Sequence, residues 1–96
     1  MKLYLYVDRE EEYKAVATEQ EIIKKADGYI QEYNHNGEYG EYFADTSVDG
    51  IKKVETLSCA IKVLGLMGVY IKRLTVGLYG EVATTEKLEK YGWMEV

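Results

Sequence analysis

The sequence predicts a small α+β domain in which two consecutive helices pack on a largely antiparallel sheet. Three observations support this class: an N-terminal segment with a period of two, a later segment whose apolar residues have helical spacing, and a β-branched and aromatic segment beyond it. A chain of 96 residues has the length of one domain, so we expect residues 1–96 to form a single globular unit.

The N-terminal segment predicts a β-hairpin. Residues 2–7 alternate well enough for a strand, residues 8–12 form a charged turn exposed to solvent, and the period of two resumes over residues 13–17. A hairpin is the simplest arrangement, although the connection lacks the Asn-Gly pair typical of tight turns.

The next segment predicts a helix. Thr18 and Glu21 have the spacing of a capping box, in which the threonine hydroxyl accepts a bond from the Glu21 amide and the Glu21 carboxylate returns to the Thr18 amide. Apolar positions from Ile22 to Tyr33 then lie on one helical face. Residues 34–37 combine asparagine and glycine, which favour the left-handed conformation that ends a helix.

The remaining elements follow from caps, glycines and β-branched residues. Residues 38–45 permit a short strand or a loop, and we expect an ordered loop or edge strand because dense aromatic residues are seldom wholly exposed. Residues 46–49 offer a second N-terminal cap, and residues 51–64 have the spacing of a second helix. We expect a strand over residues 69–79, a short helix from Thr84 or Thr85 through Tyr91, Gly92 as its terminator, and an edge strand over residues 93–96.

The net negative charge of the chain comes from one segment, residues 26–51. This segment holds six carboxylates and no lysine or arginine, whereas the rest of the chain holds eleven acids and twelve bases. It also holds four tyrosines, and tyrosine supplies rigid contact area at binding surfaces. Carboxylates among aromatic rings can bind arginine and lysine through charge-assisted hydrogen bonds and cation–π contacts. The candidate binding residues are Glu32, Tyr33, Glu38, Tyr39, Glu41, Tyr42, Asp45 and Asp49.

Composition disfavours several other classes of function. A sequence pI near 4.9 disfavours direct binding to nucleic acid or anionic lipid, and no apolar run has the length of a membrane span. The N-terminus turns acidic where a signal peptide would stay apolar, and a single cysteine excludes an internal disulfide, so we expect a cytoplasmic protein. One histidine provides no spaced set of metal ligands, and we expect no metal and no cofactor.

The leading hypothesis is a non-enzymatic module that presents an acidic, tyrosine-bearing face to a basic protein surface. If that surface normally holds nucleic acid, the carboxylates stand in for phosphates and the module inhibits by competition. In size, acidity and lack of motifs, the chain is similar to small phage and mobile-element proteins, including anti-CRISPR proteins and other inhibitors that mimic nucleic acid. The alternatives are a solvated helix face followed by a polar loop, with no binding role; a structural domain that forms homo-oligomers through its tyrosines; and a small enzyme using His35 with Glu38 or Glu41.

Overall fold

One antiparallel sheet organises the part of the chain that the computed structural model describes, which is residues 2–74, 88, 90 and 92–95. Within these residues the strands are β1 (Leu3–Asp8), β2 (Tyr13–Thr18), β3 (Val69–Arg73) and β4 (Met94–Glu95), in the order β3-β1-β2-β4. The helices are α1 (Glu19–Asn36), the one-turn α2 (Gly40–Phe43) and α3 (Leu57–Leu66). The predicted α+β class, N-terminal hairpin and antiparallel sheet are confirmed.

The tyrosine face of β1 belongs to the main core. Tyr4 lies opposite Ala17 and Tyr6 lies opposite Ala15 across the hairpin, and all four side chains are buried in the cluster that α1 and α3 cover. A small residue opposite each ring leaves volume for the aromatic side chain beneath the helices. The other face of the hairpin packs in a smaller cluster around Leu88.

Helix α1 begins and ends where the sequence predicts. The Thr18 hydroxyl accepts a hydrogen bond from the Glu21 amide at 3.3 Å. Gly37 ends the helix with φ of 71°, and its amide donates to the Tyr33 carbonyl at 3.1 Å. This is the left-handed cap for which glycine is the favoured residue. The position of α1 on the sheet is therefore fixed by local sequence signals at both ends.

The predicted start of the second helix is wrong. Helix α3 begins at Leu57 after Thr56, whose hydroxyl accepts from the Cys59 amide at 3.1 Å, and residues 51–55 are neither helix nor strand. The predicted cap at residues 46–49 instead forms turns, with the Thr46 hydroxyl donating to the Phe43 carbonyl at 2.6 Å. Val54 is 2% exposed. The apolar residues whose spacing resembles a helix face therefore anchor a non-helical segment in the core.

Side chains of α1 explain why residues 51–54 do not become helical. The Val54 amide donates to Asp27 Oδ1 at 2.9 Å, Gln31 Nε2 donates to the Lys52 carbonyl at 2.8 Å, and Asn34 Nδ2 donates to the Ile51 carbonyl at 2.9 Å. These backbone groups therefore find partners on α1 and do not need a helical hydrogen-bond ladder.

Residues 38–45 adopt neither of the predicted forms in full. They contain the single turn α2 in place of an edge strand, and Tyr39 precedes it with φ of 64°. Phe43 is 0% exposed, and its ring contacts those of Tyr33 and Tyr39 at centroid distances of 5.5 and 6.4 Å. The expectation that these aromatic residues are not wholly exposed is confirmed. The buried ring of Phe43 holds the turn against the core.

The described residues include only part of the C-terminal segments for which we predict a strand and a helix. Strand β3 ends at Arg73, and residues 75–79 lie outside the described residues. The predicted helix from residue 84 or 85 to 91 also lies largely outside them, although Gly92 has φ of 77° and donates to the Leu88 carbonyl at 2.7 Å, as a helix terminator does. Of the predicted strand over residues 93–96, Met94–Glu95 form β4, which is outermost in the described sheet beside β2.

Candidate protein-binding surface

A groove of about 470 Å³ lies along α1 beside Trp93. We call it the α1 groove; its lining residues are Glu21, Lys24, Lys25, Gly28, Tyr29, Glu32, Tyr39 and Trp93. Gly28 is exposed, and a Cβ placed on it would meet nothing within 4 Å. Glycine inside a helix destabilises it by about 1 kcal/mol relative to alanine, and no close packing at this position requires glycine. The open space above Gly28 is therefore a feature of the groove.

Aromatic rings form the walls of the α1 groove. Tyr29 and Tyr39 meet edge to face at 5.1 Å, and Trp93 meets Tyr6 in the same way at 4.8 Å. The Trp93 indole N–H donates to the Tyr13 hydroxyl at 2.6 Å. Such contacts hold the ring orientations, because edge-to-face pairs and buried indole hydrogen bonds are directional.

The Lys25 ammonium lies over two of these rings. Its Nζ is 5.5 Å from the centroid of Trp93 and 5.8 Å from that of Tyr29. Both distances are within the range in which a cation is attracted to the face of an aromatic ring. The α1 groove thus contains a cation-binding arrangement that a side chain of the same protein occupies.

A second depression of about 400 Å³ continues the α1 groove, since both are lined by Lys25 and Tyr29. It adds three carboxylates, those of Asp8, Glu11 and Glu95. Among the residues that the structure describes, the two linings contain five carboxylates and two lysines, which gives this described part of the depression a net negative charge. Burial raises the pKa of the Tyr29 phenol and that of the Tyr6 phenol.

Acids from two distant segments converge at Tyr42. The negative charge of Glu10 is the largest cause of the raised pKa of the Tyr42 phenol, followed by burial and by the charges of Glu41, Asp8 and Glu11. A phenolate is disfavoured there because like charges nearby oppose a new negative charge. We call these five residues the acidic edge. It joins the hairpin turn to α2.

The hairpin turn is ordered by its own first acid. Asp8 Oδ1 accepts hydrogen bonds from the amides of Glu10 and Glu11 at 3.1 and 3.2 Å. The basic residue of this turn is Arg9, and its guanidinium lies 5.7 Å from the ring centroid of Tyr70 on β3. The turn therefore holds its glutamates in place while its arginine contacts a ring on β3, the strand that pairs with β1.

A separate hydrogen-bonded cluster fixes the loop after α2. The Tyr33 hydroxyl donates to Asp49 Oδ1 at 2.9 Å, and the Asp45 amide donates to Asp49 Oδ2 at 3.0 Å. The Asp45 amide and the Tyr33 hydroxyl lower the pKa of the Asp49 carboxyl, because both bonds favour its charged form. Asp49 thus has a structural role in the loop.

The structure distributes the eight predicted binding residues over three groups and one exposed position. Glu32 and Tyr39 line the α1 groove, and Glu41 and Tyr42 belong to the acidic edge. Tyr33, Asp45 and Asp49 form the hydrogen bonds that hold the loop after α2. Glu38 is exposed, and its amide donates to the Glu32 carbonyl.

Sequence reasoning missed the contribution of other segments to this surface. The glutamates of the hairpin turn were expected only to be solvated, and Trp93, Tyr13 and Lys25 were not among the predicted site residues. The run of three glutamates at residues 10–12 was a usable signal, since charge of one sign concentrated in a short turn can extend an acidic surface.

His35 occupies an open position near the end of α1. It is exposed, and its Nε2 lies 3.1 Å from Gln31 Oε1. Among the residues that the structure describes, no three His, Cys, Asp or Glu side chains are grouped as a metal ion would require.

Comparison with known proteins finds no relative of this chain: no protein family, curated protein or solved structure matches it. The described helices include none with the length and apolar character needed to cross a bilayer.

Proposed function

We propose that this protein is a non-enzymatic binding module whose acidic, tyrosine-bearing surface engages a basic protein. The observation that carries the proposal is that the fold brings the hairpin turn close to α2, although the two segments are about thirty residues apart in the chain. Asp8 and Glu11 line a depression with Tyr29, whose ring meets that of Tyr39, just before α2, at 5.1 Å. The charges of Glu10 and Glu41 both raise the pKa of Tyr42. Because the two segments meet only in the folded state, the negative potential is a property of the tertiary structure.

The proposed partner is a protein that normally binds nucleic acid. Carboxylates held at fixed positions can replace phosphates in front of arginine and lysine side chains, through the same charge-assisted hydrogen bonds. Tyrosine at the centre of the acidic edge would add contact area at little entropic cost. The module would then inhibit by occupying the surface that nucleic acid needs.

A pull-down from the native host tests this proposal, with host proteins that are first enriched on DNA-cellulose as the input. Immobilised protein should retain some of them at low salt, and duplex DNA should displace them, because both ligands compete for one basic surface. Raising the salt from about 0.05 M to 0.5 M should weaken retention steeply, since the screening length falls well below 10 Å over that range.

A matched pair of variants separates the acidic edge from total charge. Glu10→Gln with Glu41→Gln should greatly reduce retention, whereas Glu19→Gln with Glu55→Gln removes the same charge from exposed positions elsewhere and should leave it nearly unchanged. Equal retention by the two double variants, or retention that duplex DNA does not reverse, would contradict the proposal.

Self-association is a second candidate function, favoured by one observation. Ile61 and Leu66 on α3 and Tyr70 on β3, which is outermost among the described strands, are 43%, 38% and 51% exposed. Apolar side chains beside the outermost strand of the described sheet can support a homo-oligomer. Light scattering coupled to size-exclusion chromatography should then give a multiple of the 11.0 kDa chain mass, which Ile61→Glu would reduce.

A further inference from the structure

The α1 groove has two properties that the acidic edge does not explain. Its rings already hold an ammonium group, that of Lys25, and its open space lies above a glycine inside a helix. Neither property is required by the packing of the core, because Lys25 and Gly28 are exposed. Both are what a site for a cationic side chain would need.

We propose that the α1 groove binds an arginine side chain of the basic partner, which replaces Lys25 over the rings of Tyr29 and Trp93. This inference rests on the proposed function and names the group that the partner inserts. A guanidinium is planar, stacks on aromatic faces better than an ammonium and is more weakly hydrated, so it can displace Lys25 from the rings.

The charges of the groove support arginine as the occupant. Glu21 and Glu32 lie in the lining of the α1 groove, and Asp8, Glu11 and Glu95 line its continuation. A carboxylate beside the stacked guanidinium can accept two parallel hydrogen bonds from its fork of N–H groups, which a lysine cannot supply. Carboxylates outnumber lysines among the described lining residues, and this excess of negative charge complements a cation.

Gly28 gives the guanidinium room to approach the helix. A Cβ at this position would extend into the open space, where it now meets nothing within 4 Å. Alanine is therefore compatible with the free fold and favours the helix, but its methyl group would occupy part of the groove. Stability and binding should change in opposite directions.

The probe is fluorescein-labelled octa-arginine, with octa-lysine as the equally charged control and fluorescence anisotropy as the readout. We expect tighter binding of octa-arginine. Gly28→Ala should weaken that binding about fivefold, the scale of one stacked cation, while raising Tm by about 4 °C. Gly65→Ala is the matched control, because Gly65 is also exposed, helical and free of neighbours within 4 Å of a Cβ; it should leave binding unchanged.

The two lysines of the groove provide a second matched pair. Lys25→Gln should strengthen octa-arginine binding about threefold more than Lys24→Gln, because both remove one charge from the same groove but only Lys25 lies over the rings. Equal effects of these two variants, unchanged binding by Gly28→Ala, or equal affinities for the two peptides would overturn the arginine site.

The outcomes also separate this inference from the proposed function. If Glu10→Gln with Glu41→Gln abolishes octa-arginine binding while Gly28→Ala leaves it unchanged, the acidic surface stands and the arginine site is wrong. If neither change affects binding, both are wrong. A concentration-dependent dimer that Gly28→Ala abolishes would show that a second copy of the chain occupies the groove, which also overturns the arginine site.

Discussion

Removing the Asp27 carboxylate tests how residues 51–54 are held away from a helical conformation. One oxygen, Oδ1, accepts from the Val54 amide at 2.9 Å and from Gln31 Nε2 at 3.1 Å. Val54 is 2% exposed, so its amide has little access to water once the carboxylate is gone. Leaving a buried donor without an acceptor costs about 1–3 kcal/mol, which is the loss of unfolding free energy expected for Asp27→Ala.

Asp27→Asn separates the hydrogen bond from the charge. The asparagine carbonyl can accept the same two bonds, and only the charge-assisted part is lost, at a cost of about 1 kcal/mol. A domain of this kind has roughly 5–15 kcal/mol of stability, so both variants should remain folded. Glu32→Ala, on the same helix, is the control, because the Glu32 carboxylate is exposed and its hydrogen bond comes from Asn36.

Urea unfolding followed by circular dichroism gives the free energies, and amide hydrogen exchange of Val54 gives the local effect. Asp27→Ala should speed Val54 exchange by roughly 5- to 150-fold, the range that 1–3 kcal/mol represents, while Asp27→Asn changes it less. If Asp27→Ala has the same unfolding free energy and Val54 exchange as the natural chain, this carboxylate does not hold the segment and our account of the late start of α3 fails.

Four further predictions concern burial, charge and backbone geometry. Phe43→Ala should cost about 3–5 kcal/mol, visible as a large fall in Tm, because the ring is fully buried. Asp49→Asn should destabilise the protein at pH 7, and urea unfolding should show that deficit shrinking as pH falls below the ordinary value of 3.8 and through the lowered pKa of Asp49, where the natural carboxylate is also neutralised. Gly37→Ala should lower the unfolding free energy by about 1 kcal/mol, because its φ of 71° strains any residue with a Cβ. Glu10→Gln should lower the pKa of Tyr42 in an NMR titration, since Glu10 is the largest cause of its rise.

The elements predicted correctly are those specified by adjacent residues. The cap at Thr18, the glycine at 37 and the apolar spacing between them define α1, and alternation defines the hairpin. These signals act over a few residues through caps, backbone angles and side-chain direction, so they can be found without knowledge of the tertiary structure.

The start of α3 could not be found in this way. The spacing of Val48, Ile51 and Val54 is compatible with a helix, but side chains of Asp27 and Gln31 provide competing partners for that backbone. Nothing in the local sequence indicates that these polar residues, more than twenty positions earlier, face the same segment.

The candidate site also has features that the sequence determines and features that depend on the tertiary structure. By itself the sequence determined that residues 26–51 are acidic, free of lysine and arginine and rich in tyrosine. Only the tertiary structure decided which of these groups share a surface: it brings the hairpin glutamates to Tyr42, sets Lys25 over Trp93, and uses Asp49 to hold a loop. The physical reason is range: composition and periodicity report on neighbours along the chain, whereas an electrostatic surface or an aromatic groove depends on distances between segments that only packing brings together.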